Sequence, residues 1–161
     1  MELKRVVVTG IGTINPLGNS VEEYFANLDA GVSGAVMIDR FDASRFKTRF
    51  ACQVKNFNVA DYGIDRKEAR KMDLFTQYAM AAATQAVSDS GMDLEKENLD
   101  RLGVVVGSGI GGIITLTHEI MEFTKGDGTP RFNPFLVPKM RADIAAGLIS
   151  VTASVRADSA A

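Results

Sequence analysis

The clearest hydrophobic pattern in this chain of 161 residues lies near its middle, where a short apolar run meets a cluster of glycines. Residues 102–106 read Leu-Gly-Val-Val-Val, and such a β-branched run is typical of a strand buried on both faces. Four of the next six residues, 107–112, are glycines without side chains. We therefore expect a ligand or another chain segment to pack closely against the backbone there. Apolar residues then recur at helical spacing, at Ile113, Ile114, Leu116, Ile120 and Phe123. This strand, turn and helix predict an α/β domain.

The first third of the chain predicts a strand, a loop and a short helix. Residues 5–9 read as an opening strand and residues 10–18 as a loop. Ser20 and Glu23 have the spacing of a capping box, which predicts the start of an amphipathic helix that Gly31 ends. Beyond it, residues 50–54 alternate like a second strand.

A longer helix is expected in the middle of the chain. Asp65 and Glu68 again have capping-box spacing, and they predict one helix that runs through Ser90 and ends at Gly91. Its inner face is expected to consist of Met72, Phe75, Ala79, Ala82, Ala83 and Ala86. Because alanine permits close backbone approach, this pattern is typical of a central helix between two layers.

Composition indicates an ordinary globular protein. Apolar residues make up 46% and charged residues 24%, and the net charge of −2 argues against general nucleic-acid binding. No apolar run approaches the ~18 residues that a membrane helix needs, and no signal-peptide core follows the first methionine. The single cysteine fits a reducing compartment. We therefore expect one cytoplasmic domain, residues 1–161, without a membrane or nucleic-acid partner.

Few side chains offer metal or nucleophile chemistry. Cys52 has no neighbouring cation or helix N-terminus in the sequence, so we predict a buried structural thiol. His118 is the only histidine and is expected on a surface or in packing. One cysteine and one histidine do not make a metal site, so no metal and no cofactor is predicted.

Two glycine motifs invite a dinucleotide-binding hypothesis. The motif at residues 10–15 ends in Asn15, whose Cβ stands where close helix packing needs glycine. The motif at residues 107–112 matches G-x-G-x-x-G, but the acidic residue expected about 20 positions later is Asp127, which lies in a turn. Dinucleotide binding is therefore the least favoured of the functions considered.

A basic cluster lies at the start of the long predicted helix, and its members are Arg66, Lys67, Arg70 and Lys71. Three of these cations share one helix face. Cations in a first helical turn oppose the helix macrodipole, at a cost of a few tenths of a kcal/mol each. Both a solvated polar face and a surface for an acidic partner remain open.

An aromatic, proline-framed segment follows at residues 131–138, hereafter the aromatic loop. Its apolar side chains suggest a pocket lining or a subunit contact. The aromatic loop leads to a predicted helix that runs through Gly147. Residues 151–161 are small and polar, without periodicity, and are interpreted as an atypical tail.

Four of these motifs together resemble the amino-terminal half of the type II β-ketoacyl-acyl-carrier-protein synthases. They are the opening Val-Val-Val-Thr-Gly-Ile-Gly with Pro-Leu-Gly (residues 6–18), residues 66–73, residues 107–112 and residues 133–138. The resemblance implies a thiolase-like fold, in which related α/β halves stack as α-β-α-β-α layers and the enzyme dimerises. It also implies fatty-acid elongation, by decarboxylative condensation of an acyl thioester with malonyl-carrier protein.

The resemblance also implies roles for particular residues. It assigns docking of acyl carrier protein to the cations Lys67, Arg70 and Lys71. It assigns the acyl pocket to Ile110, Phe135 and Leu136, of which Ile110 is the gate and the other two reach the partner's pocket.

This chain departs from the family's catalytic pattern. The family's nucleophile is a cysteine at a helix N-terminus that follows a Gly-Pro segment shortly after the position of Ser150, but residues 151–161 contain neither. Leu148 stands where the family commonly has histidine, the two catalytic histidines belong to the other half, and Cys52 does not align with the nucleophile. No residue of this chain is therefore assigned as catalytic.

Two main hypotheses follow from the resemblance. The chain is either a catalytically silent, truncated synthase, or a non-catalytic module that binds carrier protein or dimerises. In either case we expect a large exposed apolar patch, and therefore self-association.

Overall fold

The computed structural model describes residues 4–153 and, as backbone only, residues 156–160. Its helices are α1 (Val21–Asp29), α2 (Arg66–Ala69), α3 (Leu74–Ser90), α4 (Ile113–Lys125), α5 (Leu136–Met140) and α6 (Ile144–Ala153). Its strands are β1 (Ala35–Met37), β2 (Phe50–Cys52), β3 (Gly103–Gly107) and β4 (Arg156–Ala160). Short 3-10 turns occupy Val59–Tyr62 and Leu99–Arg101. None of the helices in this part of the chain is long and apolar enough to cross a membrane.

The described strands form two separate pairs. β1 and β2 are antiparallel, with Val36 opposite Ala51. β3 and β4 are parallel, and α6 contacts both of these strands and also α3. The predicted central strand and the helix after it are thus confirmed. The segment interpreted as a tail contributes the end of α6 and β4, while residues 154, 155 and 161 lie outside the described residues.

The expectation that this central strand is buried on both faces is wrong. Val104 and Val106 are half-buried, whereas Val105 between them is 73% exposed. Because successive side chains of a strand point to opposite faces, α6 can cover only one of these two sets. The other face of β3 is open to solvent.

The predicted opening strand at residues 5–9 is also not observed. These residues have no ladder partner among the described residues, and Val6 and Val8 are 89% and 80% exposed. A β-branched run favours extended backbone, but a strand also needs a neighbour to pair with. No described strand pairs with this segment.

The first helix follows the sequence prediction. The Ser20 hydroxyl accepts a hydrogen bond from the Glu23 amide at 3.1 Å, and the Glu23 carboxylate accepts one from the Asn19 amide at 2.7 Å. Gly31 adopts φ +65 just after the helix, as a C-terminal glycine should.

The long middle helix is interrupted, so the prediction of one helix from Asp65 to Ser90 is wrong. α2 has only four residues, and α3 begins anew after Asp73, whose carboxylate accepts from the Phe75 amide at 3.4 Å. The Gln77 side chain donates to the carbonyls of Ala69 and Met72 and so supports the backbone across the break. The predicted end of α3 at Gly91 is confirmed, with φ +64.

The prediction that α3 allows close backbone approach is confirmed. A side chain at Gly10 would overlap the carbonyl oxygen of Ala86, and one at Gly12 would overlap that of Ala82. The glycines of the opening loop therefore serve helix packing. The Gln85 side chain fixes the same loop by hydrogen bonds with both backbone groups of Thr13.

The buried apolar core is small and consists largely of alanine. Among the described residues its members are Ala43, Ala69, Met80, Ala81, Ala145 and Ala146. The fully buried residues of α3 are Thr76, Met80 and Ala81, none of which belongs to the predicted inner face.

The helix predicted to run from the aromatic loop through Gly147 is divided as well. α5 ends at Met140, and Arg141 has extended backbone while its guanidinium bonds to the Asp143 carboxylate. α6 then starts at Ile144 and continues past Gly147 to Ala153.

Candidate functional site

An open cleft of about 640 Å³ joins the basic cluster to the aromatic loop. Its lining residues are Lys67, Arg70, Lys71, Glu119, Arg131, Phe132, Asn133, Pro134 and Phe135. One wall comes from α2 and the turn after it, and the opposite wall from the aromatic loop. The structure therefore unites two sequence features that lie some sixty residues apart.

The charged wall of the cleft consists of Lys67, Arg70 and Lys71, and only one of these cations has an ion-pair partner among the described residues. Lys71 pairs with Glu68 at 2.6 Å. The side chains of Lys67 and Arg70 are exposed and have no hydrogen bond or ion pair with any described residue. These two cations are therefore available to an anionic partner.

The broken helix changes the electrostatic argument for the basic cluster. Arg70 caps the C-terminus of α2 and Lys71 lies beyond it, at an end where the macrodipole favours cations. Asp65 also places a carboxylate at the N-terminus, where it accepts from the Lys67 amide at 2.7 Å. The expectation that Arg70 and Lys71 lie in the first turn of a helix is therefore wrong.

The aromatic loop is held in place by side-chain hydrogen bonds. The Glu119 carboxylate on α4 accepts from the Asn133 amide at 3.0 Å, and the Asn133 side chain accepts from the Phe135 amide at 2.8 Å. The Lys71 ammonium lies 5.9 Å from the ring centroid of Phe135, within the range of a cation–π contact. These contacts fix the aromatic wall against the charged one.

Arg131, the fourth cation of the cleft, is tied to a neighbouring turn. Its guanidinium lies 3.4 Å from the Asp127 carboxylate. The Thr129 amide donates to the same carboxylate at 2.9 Å and lowers the pKa of Asp127. Asp127 therefore stays ionised and neutralises part of the charge of Arg131.

The residues assigned to the acyl pocket are only partly brought together. Phe135 lines the cleft, whereas Ile110, 70% exposed, and the half-buried Leu136 do not. Ile110 precedes Gly111 and Gly112, where any side chain would overlap the backbone of α5. Ile110 and Leu136 therefore belong to neighbouring elements, outside the cleft.

This close approach of α5 disfavours dinucleotide binding at residues 107–112. A bound pyrophosphate requires free amides at the N-terminus of the following helix. The Gly112 amide donates to the Met140 carbonyl at 3.2 Å instead. The glycine turn receives a chain segment rather than presenting its amides to a phosphate.

Asp73 organises the site, although no sequence motif indicated a role for it. Its buried carboxylate accepts from the Phe75 amide and also from the Thr115 amide, at 3.1 Å, in the first turn of α4. Asp73 thereby fixes the helix that carries Glu119 relative to the segment that carries the cations. An aspartate directly before an apolar run is a cap signal that could have indicated the helix start, but not the contact with Thr115.

The prediction that Cys52 is buried is wrong, because its thiol is exposed on β2. β1 and β2 form a two-stranded sheet in which the alternate residues Val36 and Ala51 are half-buried, so Cys52 falls on the open face. His118 is exposed on α4, as expected for a surface histidine. No group of three metal-ligating side chains occurs in the described part of the chain.

Comparison with known proteins identifies the class. Residues 3–161 match the model of the β-ketoacyl synthase N-terminal domain, and this chain belongs to that family. The described helices and strands are the amino-terminal part of a thiolase-like fold.

Individual relatives agree with this assignment. The chain is 44% identical over 158 residues to 3-oxoacyl-[acyl-carrier-protein] synthase 2 of Vibrio harveyi, an alignment that covers 97% of this chain and 37% of the relative. The structure superposes on the ishigamide ketosynthase/chain length factor with a TM-score of 0.84 and 31% identity, covering 95% of this chain and 38% of the other. A type II polyketide ketosynthase, AntDE, solved in complex with its acyl-carrier protein AntF, shares the fold with a TM-score of 0.75 and 24% identity, covering 98% and 41%. The chain thus spans somewhat more than a third of the length of these relatives.

Proposed function

We propose that these 161 residues supply the surface on which a β-ketoacyl-acyl-carrier-protein synthase of fatty-acid elongation receives acyl carrier protein. The observation that carries this proposal is the cleft in which Lys67 and Arg70, which pair with no side chain in the described part of the protein, face the aromatic loop. Acyl carrier protein is acidic, so its carboxylates complement this wall. The relatives' names point the same way, since one is a synthase acting on carrier-protein substrates and another is a ketosynthase bound to its carrier protein.

Binding of acyl carrier protein to the 161-residue chain tests the proposal. Calorimetric titration at low ionic strength is expected to show binding that weakens as salt is added, because exposed charges are screened. The double variant Lys67→Glu with Lys71→Glu should reduce affinity on the order of tenfold, since two attractive contacts become repulsive.

A matched variant separates local charge from net charge. Lys47 and Lys96 are exposed and do not line the cleft. Changing both to glutamate alters net charge by the same amount, yet affinity should stay near that of the wild type. Equal losses in the two double variants, or no loss in the first, would rule out docking at the cleft.

We also propose that this chain does not perform condensation by itself. Its single cysteine lies on β2, without the helix N-terminus that stabilises a nucleophilic thiolate, and its single histidine is exposed on α4. Incubation with radiolabelled acyl-carrier protein should therefore leave the chain unlabelled. Labelling that disappears in the Cys52→Ser variant would contradict this.

A further inference from the structure

One side chain belongs to both walls of the cleft. The Lys71 ammonium lies 2.6 Å from the Glu68 carboxylate and 5.9 Å from the ring centroid of Phe135. Glu68 is on α2, next to the other cations, whereas Phe135 is in the aromatic loop. Lys71 therefore connects the charged wall with the aromatic wall.

We propose that Lys71 is a positioning residue for Phe135, and that an acidic partner which binds the Lys71 ammonium releases this ring. The release rests on the proposed function, because it requires an acidic partner in the cleft. A partner carboxylate competes with Glu68 for the same ammonium. The attraction between an exposed cation and a ring is weak and requires close approach, so a shift of the ammonium ends it.

Lys67 provides an internal comparison. It lines the same cleft with the same charge, but its ammonium has no ion pair, hydrogen bond or ring contact with any described residue. Loss of the Lys67 charge should therefore lower only the affinity for the carrier protein. Loss of the Lys71 charge should lower this affinity and also change the position of the Phe135 ring.

Nuclear magnetic resonance of ring-labelled phenylalanine measures the coupling directly. The chain contains nine phenylalanines, and the Phe135→Leu variant identifies the signal of interest. The titrant is the apo form of an acyl carrier protein, which has no acyl-bearing arm to enter the cleft. The wild-type Phe135 signal is expected to move with the bound fraction of carrier protein.

Two methionine variants distinguish coupling from general charge loss. In Lys71→Met the Phe135 signal should already be displaced in the free chain and should move little on saturation. In Lys67→Met the free-chain signal should stay at the wild-type position and move fully at saturation, although affinity falls about two- to fivefold.

Each adverse result has its own meaning. If Lys67→Met displaces the free-chain signal as far as Lys71→Met does, Lys71 has no special hold on Phe135; this comparison needs no partner. If the carrier protein saturates the wild type while the Phe135 signal stays fixed, the release is wrong but docking stands. If no carrier protein binds at low salt, both the docking function and the release are wrong.

Discussion

At the scale of single residues, the glycines of the opening loop decide how closely the chain packs. Gly10 and Gly12 lie against the backbone of α3, in a position that only a residue without a side chain can occupy. Gly109 differs, because a Cβ built there has no atom within 4 Å and its φ lies outside the left-handed region. Gly12 should therefore tolerate no side chain, whereas Gly109 should tolerate one.

We expect Gly12→Ala to lower the free energy of unfolding by about 1–3 kcal/mol, because the new methyl group must displace the backbone of α3. Gly109→Ala should change it by less than about 1 kcal/mol, in either direction. Urea denaturation followed by circular dichroism gives both values. Similar stabilities for the two variants would mean that the opening loop is not packed on α3 as described.

At the scale of elements, the break between α2 and α3 positions the candidate site. Asp73 caps α3 and bonds to the first turn of α4. Glu119, further along α4, then holds the aromatic loop opposite the cations. The geometry of the cleft therefore depends on one buried carboxylate that does not line it.

Removal of that carboxylate should be costly. Asp73→Ala is expected to destabilise the chain by about 2–3 kcal/mol, since it removes a helix cap and leaves the half-buried donors of Phe75 and Thr115 without an acceptor. Asp65→Ala removes the cap of the exposed, four-residue α2 and should cost less than about 1 kcal/mol. Thermal unfolding of both variants tests this difference, and equal shifts in the midpoint would show that the Asp73–Thr115 contact contributes nothing.

Signals within a few residues of each other predicted where several elements begin or end, but not the breaks after Ala69 and Met140. The Ser20 cap, the C-terminal glycine Gly91 and the strand before the glycine turn all depend on local chemistry, and all were found. Burial of Cys52 and pairing of residues 5–9 depend on what lies beside them in space, and both predictions were wrong.

The candidate site divides in the same way. Helical spacing grouped the cations, and the aromatic loop was recognised by its composition. That the two form one cleft follows from tertiary contacts such as Lys71 with Phe135, which no spacing in the sequence could indicate.

At the scale of the whole molecule, the surface is too large for an isolated globular domain. The chain exposes 11650 Å², whereas a compact monomer of this size exposes roughly 7,800 Å². Large apolar side chains contribute to the excess, including Val6, Val8, Val105 and Val151, each at least 73% exposed. These exposed side chains are consistent with the expected apolar patch, and a contact with another protein surface would cover them.

Self-association is the expected consequence, and the open face of β3 allows a directed test. Val105→Lys places a charge on that face without disturbing packing, so light scattering should record a lower average mass than for the wild type at the same concentration. Val104→Lys is the matched control, because the half-buried Val104 lies on the opposite face of β3, the face that packs on α6. A charge at this position should unfold the chain instead of lowering its average mass. A wild-type chain that remains monomeric at high concentration would show that this exposed surface does not drive association. Equal association of wild type and Val105→Lys would place the contact on another face.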